Sequence, residues 1–277
     1  MPSGKDPVGR YLETAFHERL DVELGNLYIT NLEIFSELDM LEAAYARLLL
    51  HFGLGEFKAS EAREVLKSKS VRLALHRLQK AGYLVRVSRG VFRAVHPVLL
   101  AMEWAGYSWR EKVGRSEYLP FLEKIVVSIV EGFWEKLVSI VLFGSLASGK
   151  TRPESDIDLL VVAESLPESY SDRLKLFREI VHEIEDERIK LWREKGVYPL
   201  IDPILLTPDE ALSTQPFYLD LLENSLIIYD RDEFMRRKLE ELRKRLNELG
   251  SRKVTLPDGS WYWVIKPNAR PGEVIEI

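Results

Sequence analysis

Two aspartates separated by one residue, Asp156 and Asp158, head the apolar run Asp156-Ile157-Asp158-Leu159-Leu160-Val161-Val162, and a Gly144-Ser145 pair closes the preceding apolar run Ser139-Ile140-Val141-Leu142-Phe143. Residues two apart on a strand share a face, so the pattern predicts two carboxylates side by side, with Ile157 turned to the core. Adjacent carboxylates repel. Without a cation one of them should titrate high, whereas a hard divalent ion such as Mg²⁺ or Mn²⁺ takes oxygen ligands from both and completes its shell with water and phosphate. The glycine lets a polyphosphate approach the backbone, and N–H groups of a tight turn form an anion-binding concavity. The expected chemistry is metal-assisted handling of phosphate.

Two strands must therefore deliver these groups to one spot, the first ending at Gly144 and the second opening at Asp156. Downstream, Tyr170, Leu174, Phe177, Val181 and Ile184 recur at helical spacing, and the pattern predicts one amphipathic helix from Tyr170 to Lys195, capped by Gly196. The next apolar run, Val197 to Leu206, carries a lone acid, Asp202. A buried, unpaired carboxylate is costly, so duty at a metal site would explain it. The alternative is that Asp202 bonds a neighbouring N–H beside Pro203, which interrupts the strand ladder. Lys150 and Arg152, between the two halves, are positioned to meet phosphate or simply to face solvent.

At these residues the chain resembles the polymerase-β-like nucleotidyltransferases in their small form. That form has the signature Gly-Ser, three residues, Gly, five residues, Ser-Asp-x-Asp, and it reads here without departure from Gly144-Ser145 through Gly149 to Ser155-Asp156-Ile157-Asp158. The resemblance covers about a third of the chain. It implies transfer of a nucleoside monophosphate from an NTP, with ATP the favoured donor, to an acceptor hydroxyl with loss of pyrophosphate. It also implies a third carboxylate on a later strand, for which Asp202 is the candidate. Gly144, Ser145 and Ser155, with Lys150 and Arg152, are then the candidate nucleotide contacts.

Charge is distributed unevenly. Between Phe57 and Val95 stand ten Lys or Arg against Glu61 and Glu64, so this stretch carries +8 while the whole chain carries −5. Such a block points to a nucleic-acid surface. It is also an organised unit. Helices are expected over Leu38–Phe52, Ser60–Lys67 and Ser70–Ala81, followed by a hairpin over Tyr83–Val95 with Ser88-Arg89-Gly90 at its tip. That order, with the run Gly82-Tyr83-Leu84-Val85-Arg86-Val87-Ser88-Arg89-Gly90-Val91-Phe92-Arg93, resembles winged helix-turn-helix regulators and antitoxin-type repressors. The resemblance implies that Lys69, Arg72, His76 and Lys80 of the third helix, with Arg86 and Arg89 of the wing, face nucleic acid. A protein-docking module with a solvated basic face is the competing reading.

The expected fold class is α+β. It has an arm over 1–37, a winged helix over 38–97, a linking helix over 98–119, a nucleotidyltransferase domain with a mixed sheet flanked by helices over 120–230, and a terminal helix and hairpin over 231–277. The 277 residues contain no cysteine and five scattered histidines, which excludes a disulfide framework and a cysteine-ligated zinc. Met1 to Asp6 lack a secretory apolar core, and the apolar stretch from Ile125 to Leu142 is broken by charges. The expectation is a soluble, cytoplasmic protein without a membrane partner, for which a dimer is possible. Phe234 to Leu249 reads as a charged, solvated helix, and Trp261-Tyr262-Trp263 after the Asp258-Gly259 turn as aromatics packed on a core. A nucleotide sensor or toxin–antitoxin component, and an enzyme that nucleotidylates a protein, are the competing functions.

Overall fold

The computed structural model describes residues 32–68, 70–113, 117–149, 155–257, 261–270, 272–275 and 277, with side chains from Met40 onward. The chain divides between Tyr107 and Ser108 into two compact units.

The first unit runs α1 (Leu32–Phe52), β1 (Glu56–Lys58), α2 (Ala59–Leu66), α3 (Val71–Lys80), β2 (Leu84–Ser88), β3 (Val91–Ala94) and α4 (Pro97–Trp104). Its three strands form an antiparallel sheet in the order β1-β3-β2. Helix α1 begins before the expected Leu38, and β1 was not legible because three residues are too few to establish a period. On α3, Val71, Leu75 and Leu78 are buried, as their spacing requires. Leu48, Phe57 and Ala62 are buried beside them, and Phe52 stacks on Phe57 with ring centroids 4.6 Å apart. Tyr45 donates from its hydroxyl to the Val95 carbonyl at 2.7 Å, and burial pushes that hydroxyl well above the usual phenol range.

The second unit is a mixed sheet flanked by helices. Its elements are α5 (Leu119–Phe133), β4 (Leu137–Phe143), α6 (Gly144–Ala147), β5 (Ile157–Ala163), α7 (Tyr170–Ile180), α8 (Glu185–Lys195), β6 (Ile201–Leu206), α9 (Pro208–Leu212), α10 (Tyr218–Leu221), β7 (Ser225–Asp230), α11 (Phe234–Glu248), β8 (Arg252–Thr255) and β9 (Trp261–Val264). The four-stranded sheet has the order β6-β5-β4-β7. In it β4 is antiparallel to both β5 and β7, and β6 is parallel to β5. The hairpin β8-β9 is a separate sheet.

One face of the sheet, Val138, Val141, Leu160 and Val162, packs against Met235, Leu239, Leu242 and Leu246 of α11. This corrects the expectation of a solvated terminal helix. Those four residues recur at four and three spacing, so charges cover only the outer side. Asp230 anchors the start of α11 by accepting the N–H groups of Met235 and Arg236, both at 2.9 Å. The other face offers Ile140, Leu142, Leu159 and Val161, all fully buried. Helix α5 packs against α7, and at their crossing a Cβ on Gly132 would come within 2.7 Å of Ile180 Cγ2.

The expected single helix from Tyr170 to Lys195 is two helices. The α-ladder stops at Val181, a 3-10 turn covers His182–Ile184, and α8 restarts at Glu185. At the break the carbonyl of Glu179 meets His182 Nδ1 at 2.8 Å instead of continuing the ladder. No helix among the described residues is long and apolar enough to cross a membrane.

Candidate active site

Strand β4 runs outward to Phe143, and β5 returns from Ile157. Phe143 pairs with Asp158, and Asp158 in turn pairs with Asp202 of β6. In a parallel pair, partners in register lie on one face. Asp158 and Asp202 are therefore neighbours on the side that carries Leu160, Val162, Ile204 and Leu206. Asp156, two residues before Asp158, belongs to the same end. Gly144 and Ser145, which open the short turn of helix α6, follow Phe143 directly. Three carboxylates and the glycine-serine turn thus meet at one end of the sheet.

Asp158 is the most enclosed of the three and is half-buried, whereas Asp156 and Asp202 are exposed. Its carboxyl is pushed up to about 6, first by burial and then by the negative charges of Asp202 and Asp156. The repulsion expected from the sequence is present and falls on one group. Gly144 has φ +70, and a Cβ built there would overlap the Asp158 carboxylate, whose Cγ lies only 3.0 Å away. Only glycine fits this position.

The lone acid of β6 was expected in a buried strand, and that reason is corrected. Strand β6 is the edge of the sheet and Asp202 is exposed, so no desolvation cost calls for a partner. What distinguishes Asp202 is its register with Asp158. Among the described residues no group of three or more His, Cys, Asp or Glu is drawn together tightly enough to hold a metal by itself. The donor set nevertheless suits Mg²⁺, which binds through one or two carboxylates and takes its remaining oxygens from water and substrate phosphate. Asp158, crowded by two like charges, is the group such an ion would relieve.

Other expected residues fall as follows. Ser145 and Ser155 are half-buried, and the Ser145 carbonyl accepts from Ser148 Oγ at 3.1 Å. Lys150, Arg152 and Lys69 lie outside the described residues, as does the Asp258-Gly259 turn. In the first unit Arg72, His76, Lys80, Arg86 and Arg89 are all exposed, and Arg86 Nε donates to the Ser88 carbonyl at 3.3 Å. Trp261 and Tyr262 are 40% and 48% exposed, which corrects the expectation that the aromatic run packs on a core. Only Trp263 joins the hydrophobic cluster beneath the sheet. A two-stranded sheet has little core to offer both of its faces.

Sequence reasoning missed Arg173. Its guanidinium is 7% exposed and forms a fork with Glu210, at 2.6 and 2.9 Å, while also donating to the carbonyls of Pro167 (2.6 Å) and Leu205 (3.1 Å). The arginine ties α7 to β6 and α9, and so fixes the strand that carries Asp202. One signal was readable, the capping box Thr207-Pro208-Asp209-Glu210 that holds the glutamate in place.

The model of the nucleotidyltransferase domain family matches residues 123–210, which span β4, β5, β6 and both halves of the motif. The chain is 39% identical over 124 residues to the Methanocaldococcus jannaschii protein named "Putative protein adenylyltransferase MJ1305", covering 44% of this chain and 78% of that one. The chain belongs to the polymerase-β-like nucleotidyltransferases, and it is a transferase enzyme. Among solved structures it is similar to a toxin-antitoxin crystallised with AMP-PNP, at 16% identity and a TM-score of 0.28 over 46% of this chain and 90% of the other. A mutant of the toxin-antitoxin MntA-HpeT gives 14% identity and a TM-score of 0.30 over 45% and 90%.

Proposed function

We propose that the protein transfers a nucleoside monophosphate, with ATP the favoured donor, to a hydroxyl of an acceptor protein. The observation that carries this reading is the register of Asp158 with Asp202 beside Gly144, which supplies carboxylates on adjacent strands next to a turn that admits phosphate. Gly144 and Ser145 hold the β and γ phosphates so that the acceptor oxygen attacks the α-phosphorus in line as the bond to pyrophosphate breaks. Asp156, Asp158 and Asp202 would hold Mg²⁺ or Mn²⁺, an ion that would lower the pKa of the attacking hydroxyl and neutralise charge on the leaving pyrophosphate. Asp202, on the outer strand, orients that hydroxyl. Ser155, Lys150 and Arg152 are assigned to the nucleotide. A protein acceptor is favoured because the archaeal relative carries the name of a protein adenylyltransferase.

For the first unit we propose a winged helix over 38–97, linked through 98–119 to the catalytic domain over 120–230. The helix order, the three-stranded sheet and the exposed Arg72, His76, Lys80, Arg86 and Arg89 support it. It serves to bring the enzyme to nucleic acid, a role to which Lys69 is also assigned. A steep loss of duplex binding with salt, reduced by Arg86→Glu with Arg89→Glu, is the expected result. Salt-independent binding would leave the unit as a protein-docking module.

The test of the activity is incubation with each α-labelled NTP and Mg²⁺ in the presence of RNA, DNA and cell protein, beside the Asp156→Ala, Asp158→Ala double variant. Label on protein with wild type alone is expected. Label on RNA would change the acceptor class. If nucleotide binds and no label appears under any condition, the protein is a nucleotide sensor.

A further inference from the structure

A groove of about 460 Å³ opens beside the outer strand of the sheet, between α7, the turn at His182–Ile184, α8 and the start of β6, and Asp202 is part of its lining. Its walls are apolar, built from Leu174, Phe177, Ile184 and Leu200, the last of which is 52% exposed at the mouth. Arg178 and Arg188 add positive charge to the same lining. Arg178 is exposed and pairs with no carboxylate among the described residues. Arg188 bonds Glu185 through one terminal nitrogen and lies over the Tyr198 ring, yet its Nε is buried with no partner. A desolvated guanidinium N–H without an acceptor is costly, and an oxygen brought by a ligand would satisfy it.

Position and chemistry together narrow the ligand. Across the sheet the order is β6-β5-β4, so the phosphate turn at Gly144 lies on the far side of Asp158 from this groove. The groove therefore extends from the acceptor side of the site and away from the nucleotide. Strand addition is blocked along most of the edge, because Tyr170 donates to the Pro203 carbonyl at 3.1 Å and Arg173 to that of Leu205 at 3.1 Å. Recognition must then come from side chains. Apolar walls offer nothing to a phosphate backbone, and Glu185 is already held by Arg188. A polypeptide carrying both carboxylates and apolar side chains matches walls and cations at once.

We infer that this groove is the docking site for the acceptor, a protein segment in which acidic residues flank an apolar one and a neighbouring hydroxyl reaches Asp202. The inference rests on the transferase reading proposed above. Arg178 and Arg188 take the carboxylates, Leu200 and Phe177 the apolar side chain, and the hydroxyl stands over Asp202.

The experiment is fluorescence anisotropy on the full chain with three labelled probes: a random copolymer of Glu and Tyr, a random copolymer of Lys and Tyr, and a single-stranded RNA. Binding of a non-hydrolysable ATP analogue is measured in parallel. The Glu–Tyr copolymer is expected to bind, more weakly as salt rises, and Arg178→Glu to lower its affinity on the order of tenfold, with Arg178→Lys close to wild type. Leu200→Ser should weaken it as well, while the ATP analogue binds all variants alike. Failure of the Glu–Tyr copolymer to bind wild type, equal binding of the Lys–Tyr copolymer, or indifference to Arg178→Glu overturns the inference. Preferential binding of the RNA, lost in Arg178→Glu, replaces it with a nucleic-acid groove. Should the ATP analogue itself not bind wild type with Mg²⁺, the transferase reading fails, and that result is distinct from loss of the copolymer alone.

Discussion

Gly144 and Asp158 pack so closely that a Cβ on the glycine would overlap the aspartate's carboxylate. The contact links the two halves of the motif, because the residue we propose to admit phosphate is also the residue that leaves room for the carboxylate we assign to the metal. Gly144→Ala must push Asp158 aside and strain a backbone at φ +70. A displacement of about 1 Å at such a site can cost on the order of 10² in rate. Transfer in Gly144→Ala is expected to fall by at least that factor while the far-ultraviolet circular dichroism is kept. Wild-type transfer would sever the link between this contact and catalysis.

Asp158 and Asp202 divide the work differently. Asp202, exposed on the outer strand, is assigned to the acceptor, and Asp158 to the metal and nucleotide together. Asp202→Asn, on the exposed outer strand, is therefore expected to weaken Mg²⁺-dependent binding of an ATP analogue much less than Asp158→Asn does, and to lose transfer by roughly 10²–10⁴. Asp158→Asn should lose Mg²⁺-dependent binding as well. Calorimetric titration beside the transfer assay separates the two, and equal defects in both variants would argue against the division.

Arg173 and Glu210 carry a prediction about stability and pH. The fork with Arg173 holds the Glu210 carboxyl down to about 2, with the Thr207 N–H contributing. A depressed carboxylate stabilises the fold above its unfolded pKa, and that contribution is lost as pH falls through the folded one. The window is therefore from about 4.5 down to about 2. Arg173→Met should lower stability by about 1.5–3 kcal/mol, since two backbone carbonyls lose a charged donor. It should also flatten the acid limb in that window. Glu210 keeps contact with solvent, so its own uncompensated charge adds little. Urea titrations from pH 2 to 6 check both effects, and an unchanged acid limb would mean that Glu210 is held by its capping box alone.

How far the sequence carried these conclusions depended on the kind of signal. The placement of Gly144, Asp156 and Asp158 at one end of neighbouring strands was legible because a period of two and a turn are local properties. Asp202 was legible as an unusual acid, but for the wrong reason, since one chain cannot tell that its strand is an edge. The register that pairs it with Asp158 is a tertiary fact. Across the break at Val181 the apolar spacing persists through Ile184, so periodicity alone read straight through it. Arg173 was hidden because a charge on an apolar helix face looks like an interruption until its carboxylate partner, far along the chain, is known. In α11 the reverse occurred, and the charges drew attention from four regularly spaced apolar residues.

The crossing of α5 and α7 gives the last prediction, in which two opposing effects can be separated. Gly132→Ala gains about 1 kcal/mol of helix propensity. Against this, its Cβ would lie 2.7, 2.8 and 3.0 Å from three carbons of Ile180, and overpacking of that kind costs about 1–3 kcal/mol. Ile180 is only partly buried and has some freedom to yield, so the net loss in the single variant should be about 1 kcal/mol or less. In an Ile180→Ala background the clash is gone and the propensity gain remains, so adding Gly132→Ala should there stabilise the protein. A double-mutant cycle by chemical denaturation reads the change of sign. Additive effects would mean that the helices already stand far enough apart for a methyl group.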